Sequence, residues 1–156
     1  MEKTPQKADS PPLLAAGFHT MKLEEIHALT VKKFPNSKRR QPLFDSFVIY
    51  TTLLERTGIN FKLWIDGSFT TEKNEPNDID IVIIFDQAQV DSLSENSINE
   101  LLKLADHDKI KARFNLDVYF EKSDNTYTKA YWRGLFGFLR DEETPKGLIT
   151  LEINNG

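Results

Sequence analysis

The chain has 156 residues, of which 39% are hydrophobic and 28% charged, with a net charge of −4 and no cysteine. That is enough for one domain with a proper core and too little for two ordinary ones. The missing cysteines exclude disulfides and thiolate chemistry, the acidic balance argues against a broad nucleic-acid-binding face, and no apolar run reaches membrane-spanning length.

Residues 1–19 are rich in Pro, Lys, Ser and Thr and read as a flexible N-terminal arm, with Leu13, Leu14 and Phe18 available to pin its last part. No apolar segment follows Met1, so no signal peptide is expected and the cytoplasm is the expected location. Residues 20–156 read as a single domain. A helix is predicted from Thr20, which caps it, with Leu23, Ile26, Thr30 and Phe34 at helical spacing and Pro35 ending it. The basic run from Lys32 to Arg40 reads as a solvated helix end and loop, a phosphate-contacting patch being the alternative. A second helix is predicted from Pro42, with Phe44, Phe47, Val48, Thr51 and Leu54 as its buried stripe and Gly58 as its stop.

Residues 61–69 read as a first strand, 70–77 as a polar connection and 78–85 as a second, central strand whose apolar tail is suited to burial on both faces. Residues 87–108 read as helical with a break, Ser97 and Glu100 forming a capping box. A connection over 109–113 leads to a third strand, 114–120. A further helix is predicted over 125–139 with Tyr131, Leu135 and Phe138 on its apolar side. Pro145-Lys146-Gly147 is a turn, and 148–153 a final strand at a sheet edge. This order predicts an α+β domain, a mixed sheet with helices mainly on one face.

Chemistry concentrates between the first two strands. Trp64-Ile65-Asp66-Gly67-Ser68-Phe69 ends one apolar run, and after Ser68 nine residues pass before Asp78-Ile79-Asp80 opens the next. Side chains alternate along a strand, so Asp78 and Asp80 share a face, about 6–7 Å apart, within reach of one divalent cation. Gly67 allows close backbone approach, and Ser68 offers a hydroxyl and an N–H to a phosphate. Asp117 interrupts an apolar strand, where an uncompensated carboxylate is costly. Each also has a plain structural explanation: Asn77-Asp78 as a strand start, Asp80 as an exposed position, Asp117 paired with Arg113 or Lys111. His19, His27 and His107 show no metal-site spacing, and Trp64 and Trp132 read as packing residues.

The combination of a hydrophobic strand, Gly67-Ser68, a spacer, Asp78-x-Asp80 and a later in-strand Asp117 resembles the signature of the DNA polymerase beta-like nucleotidyltransferase superfamily, over about Phe61 to Phe120. The chain has no room for polymerase accessory domains and is similar to the minimal bacterial members, in a small uncharacterised subgroup sharing Ile65-Asp66-Gly67-Ser68-Phe69. The resemblance implies that Asp78, Asp80 and Asp117 are catalytic and hold two Mg2+ ions, or Mn2+, and that Gly67 and Ser68 bind triphosphate. It implies transfer of a nucleoside monophosphate, AMP from ATP, to a hydroxyl on a protein or small molecule. Small members carry Arg and a small residue after Gly-Ser on a helical turn. Here Phe69-Thr70-Thr71 reads as strand, so Lys73, Arg133, Arg140 and Lys146 become the candidates for triphosphate contact. The alternative is an inactive module with this fold that works through a partner protein, as an antitoxin or defence component. Neither nucleic acid nor membrane is an expected partner.

Overall fold

The computed structural model describes residues 10–155. The fold is α+β, built on one five-stranded mixed sheet in the order β1-β5-β2-β3-β4. The strands are β1 (Gly17–Thr20), β2 (Phe61–Asp66), β3 (Ile79–Phe85), β4 (Leu116–Lys122) and β5 (Gly147–Ile153). β1 runs parallel to β5 and β3 parallel to β4, while β2 is antiparallel to both its neighbours. Six α-helices accompany the sheet: α1 (Leu23–His27), α2 (Arg40–Glu55), α3 (Gln87–Asp91), α4 (Glu95–Leu104), α5 (His107–Phe114) and α6 (Thr126–Phe136). A π-helical turn, Ala28–Lys32, continues α1. Among the described residues no helix is long and apolar enough to cross a membrane.

The alternation of side chains in the strands sorts the sheet into two faces. Leu63 and Ile65, Ile81 and Ile83, and Leu116 and Val118 pack with Phe47, Tyr50 and Leu54 of α2 and Phe114 of α5 into the larger core. Trp64, Val82, Ile84 and Leu148 face the other way, where Phe136 and Trp132 of α6 cover them. Each such large apolar side chain contributes roughly 1.5–3 kcal/mol on burial, so the first face carries most of the stability and the second has room for a site.

Several expectations give way. The arm predicted over 1–19 lies outside the described residues up to position 9; from there Pro12 bridges to Thr71, and Gly17–Thr20 is a strand rather than loose chain. Thr20 therefore does not cap a helix. Its hydroxyl meets that of Thr150 at 3.0 Å, and α1 begins at Leu23. With β1 alongside, β5 is an interior strand and not an edge. α4 is capped by Ser94, whose hydroxyl accepts from the Ser97 amide, in place of the Ser97 box. The connection expected at 109–113 is helical: Asp106 caps α5, Ile110 and Phe114 bury its inner face, and Asn115 ends it in the left-handed region at φ 57. The helix expected over 125–139 ends at Phe136; on α6 the buried face is Trp132 and Phe136, while Tyr131 and Leu135, and Phe138 just beyond the helix, are exposed.

Candidate active site

β2, β3 and β4 each place one aspartate on the same rung of the sheet. Asp66 is paired with Asp80, and Asp80 with Asp117. Each lies two positions from Trp64, Val82 or Tyr119 on its strand and so projects from the same face, the one covered by α6. Asp78, just before β3, joins them from two residues earlier. One oxygen from each of Asp78, Asp80 and Asp117 lies within 4.8 Å of the others. The adjacency of the second and third predicted strands, which alternation alone does not decide, comes from the parallel register of β3 and β4. A donor set of three carboxylates, half-buried and all oxygen, suits Mg2+ or Mn2+, so these residues fit the expected metal.

The row is electrostatically uneven. Burial, together with the charges of Asp78 and Asp117, pushes the Asp80 carboxyl up to about 7. On one side of it, Lys111 of α5 places Nζ 2.7 Å from Asp78 Oδ2 and 2.6 Å from Asp117 Oδ2. Burial opposes the charge on Asp117, but Lys111 outweighs it and holds that carboxyl below its usual range. His107 Nε2 lies 3.1 Å from Asp117 Oδ1, close enough for attraction but poorly aligned for a hydrogen bond. On the other side, buried Lys146 sits 2.8 Å from Asp66 Oδ1 and donates to the Gly67 carbonyl at 2.9 Å. Burial pushes Asp66 up to about 6 in spite of that partner.

Gly67 follows Asp66 with φ 88 and ψ −168, a region essentially reserved for glycine. A Cβ there would stand 2.9 Å from Asp80 Oδ2, so the backbone calls for glycine and any side chain would push on the Asp80 carboxylate. The residues after it do not continue the strand as expected. Ser68–Thr70 form a 3-10 turn, with the Thr71 amide donating to the Ser68 carbonyl at 3.1 Å. The cause is Arg40. Read from the sequence as part of a solvated basic run, it is fully buried and donates to the carbonyls of Thr30, Phe69, Thr71 and Lys73 at 2.5–2.9 Å. Its guanidinium lies 3.7 Å from the Phe34 ring centroid. Burial lowers its pKa to about 10, which leaves it charged at neutrality.

A cavity of about 510 Å³ opens above this turn. Its lining includes Gly67, Ser68, Lys73, Asp78 and Asp80 together with apolar Leu135, Phe136, Phe138 and Leu139 and the cations Arg140 and Lys146. Arg133 is exposed on α6 and is not among the lining residues, and neither is Asp117. Thus the structure brings Gly67, Ser68, Lys73, Asp78, Asp80 and Arg140 to one space and sets Asp117 behind it, held by Lys111 and His107. Sequence reasoning overlooked Asp66, His107 and Arg40. Two of these left a trace: Asp66 closes an apolar strand directly before Gly67, and His107 and Lys111 stand one helical turn apart just upstream of Asp117.

Residues 6–152 match a family of unknown function (DUF6932). No curated protein and no solved structure matches the chain.

Proposed function

The chain belongs to this family, DUF6932, and we propose that it is a divalent-metal-dependent nucleotidyltransferase, moving a nucleoside monophosphate, AMP from ATP, to a hydroxyl on a protein or small molecule. One observation carries this. The carboxylates of Asp78 and Asp80, the Gly67-Ser68 turn and an apolar wall share a single cavity of about 510 Å³. A nucleoside triphosphate has the three matching parts: metal-binding phosphates, phosphate oxygens that need N–H and hydroxyl donors, and a flat apolar base.

Asp78 and Asp80 would hold a divalent ion, which would neutralise phosphate charge and polarise the phosphorus under attack. The Ser68 hydroxyl and amide donate to the terminal phosphates, and Lys73 and Arg140 add positive charge. The acceptor oxygen forms a bond to the α-phosphorus. The bond from that phosphorus to the bridging oxygen breaks, and pyrophosphate leaves with the electron pair. The proton of the acceptor passes to a carboxylate of the row. Leu135 and Phe138, exposed although apolar, provide the wall against which the base lies.

Calorimetry with each of the four triphosphates, with and without Mg2+, tests the proposal. Magnesium-dependent binding to the wild type, lost in Asp78→Asn/Asp80→Asn, is expected; a folded wild type that binds none of the four refutes it. Phe138→Ala is expected to weaken nucleotide binding about tenfold, the scale of a lost base–aromatic contact, and to leave inorganic triphosphate binding unchanged. Equal losses for both ligands would mean that Phe138 does not meet the base.

A second reading is favoured by Lys111, which bridges two of the three carboxylates and offsets one of their charges without any metal. In it the chain is an inactive module of this fold acting through a partner protein, as an antitoxin or defence component would. If Asp78→Asn and Asp80→Asn leave the biological effect intact, this second reading replaces the first.

A further inference from the structure

Resting on the metal–triphosphate reading of the cavity, we propose that Lys111 is the built-in second cation of this centre, so that the site takes one divalent ion, on Asp78 and Asp80, where three carboxylates would otherwise hold two.

The geometry assigns the oxygens. Asp117 Oδ2 and Asp78 Oδ2 both receive the Lys111 ammonium, at 2.6 and 2.7 Å. Asp117 Oδ1 has His107 Nε2 at 3.1 Å. One oxygen of Asp117 is therefore taken by the ammonium, the other faces the His107 ring without hydrogen-bond geometry, and the residue is not part of the cavity lining. Two-metal centres keep their ions about 3.5–4 Å apart by bridging them with shared carboxylates. An ion bridging Asp78 and Asp117 would have to displace an ammonium that already sits between them. Asp78 and Asp80 do line the cavity, and Asp80 faces its carboxylate neighbours without such a partner in the described residues.

Charge leads to the same assignment. Before nucleotide enters, one lysine and one divalent ion together balance the three carboxylates. Lys111 is also not a side chain on a loose loop. α5 is anchored by buried Ile110 and Phe114, the latter against Tyr50 with ring centroids 5.9 Å apart. The ammonium is thus delivered from a packed helix to the end of the strand that carries Asp117.

The test counts ions. Mn2+ is titrated into the full chain with a non-hydrolysable ATP analogue, and free Mn2+ is followed by electron paramagnetic resonance. One ion per chain is expected for wild type and for Lys111→Arg, and two for Lys111→Met. Melting curves for each variant confirm the fold; Lys111 is half-exposed, so methionine is accommodated. Two ions in the wild type, or one in both wild type and Lys111→Met, overturn the assignment while leaving the nucleotide site standing. No bound ion in the wild type, with nucleotide present, overturns the metal–triphosphate reading and this inference together.

Discussion

Asp80→Asn is expected to stabilise the metal-free protein at pH 8 while removing its response to Mg2+. Asp80 is half-buried, faces Asp78 and Asp117, and has its carboxyl pushed up to about 7. An unfolded aspartate loses its proton near pH 4. Between about pH 4 and pH 7 the folded chain therefore keeps a proton that the unfolded chain has lost. The stability contributed by this group is complete below about pH 4 and is lost as pH rises through 7. Asp66, pushed up to about 6, acts in the same direction over a narrower window. Asp117, held below its usual range, acts oppositely, but only at acid pH.

Wild-type protein without divalent ions should thus melt higher at pH 5 than at pH 8. Asparagine removes the Asp80 share of that difference, worth on the order of 2 kcal/mol, or about 5 °C for a chain of this size. The smaller Asp66 share remains. Mg2+ should raise the wild-type melting temperature at pH 8, where the carboxylate needs a counter-charge, and leave Asp80→Asn unmoved. A variant less stable than wild type at both pH values would show that Asp80 serves the fold as a hydrogen-bonding group rather than waiting for a cation.

The parts of this fold that were legible are those whose burial follows a local period. β2, β3 and β4 alternate or run apolar over six or seven residues, so their existence, the shared face of Asp78 and Asp80, and the anomaly of Asp117 all follow from spacing. β1 was not legible. Its four residues, Gly-Phe-His-Thr, carry no alternation, and its one large apolar side chain, Phe18, stays exposed. What makes it a strand is β5, about 130 positions away. Missing β1 also turned β5 into an edge. α6 shows the opposite failure, since the exposed residues expected as its stripe, Tyr131 and Leu135 on the helix and Phe138 just past its end, are as apolar as the Trp132–Phe136 face that packs on the sheet. Only the tertiary arrangement chooses between them, and it turns Leu135 and Phe138 to the cavity.

At the site, two explanations for Asp117 that stood as rivals both hold in part. It lies in the acidic cluster, and it is paired with Lys111. Spacing could name both partners but not their coexistence, which depends on α5 ending beside the first residues of β4. The cations were the least legible. Lys146, a candidate for the triphosphate, lines the cavity but is buried against Asp66 and Gly67, and Arg133 is not among the lining residues.

Arg40→Met is expected to be the most destabilising single substitution at this centre, lowering the melting temperature by about 10 °C or more. In a run of lysines and arginines nothing local distinguishes Arg40 from its neighbours, yet it alone has no exposed surface. Its two terminal nitrogens satisfy four main-chain carbonyls, of Thr30, Phe69, Thr71 and Lys73. Methionine fills similar space but donates nothing, and each buried acceptor left unpaired costs roughly 1–3 kcal/mol. Some of the four will recover water, so a total near 4 kcal/mol is the reasonable scale, and about 2–4 °C of melting temperature accompanies each kcal/mol in a chain of this size. Arg40→Lys should recover little, because a single ammonium lacks the planar fork that reaches carbonyls on both sides. The loss should also reach function. Three of the four carbonyls belong to the turn after Gly67-Ser68, so a variant still folded at low temperature should bind Mg2+–triphosphate more weakly although Arg40 itself touches no ligand. A melting temperature within about 2 °C of wild type would mean that the turn is held by its own hydrogen bonds, Thr70 to Asp66 and Thr71 to Ser68, and that the buried guanidinium is dispensable.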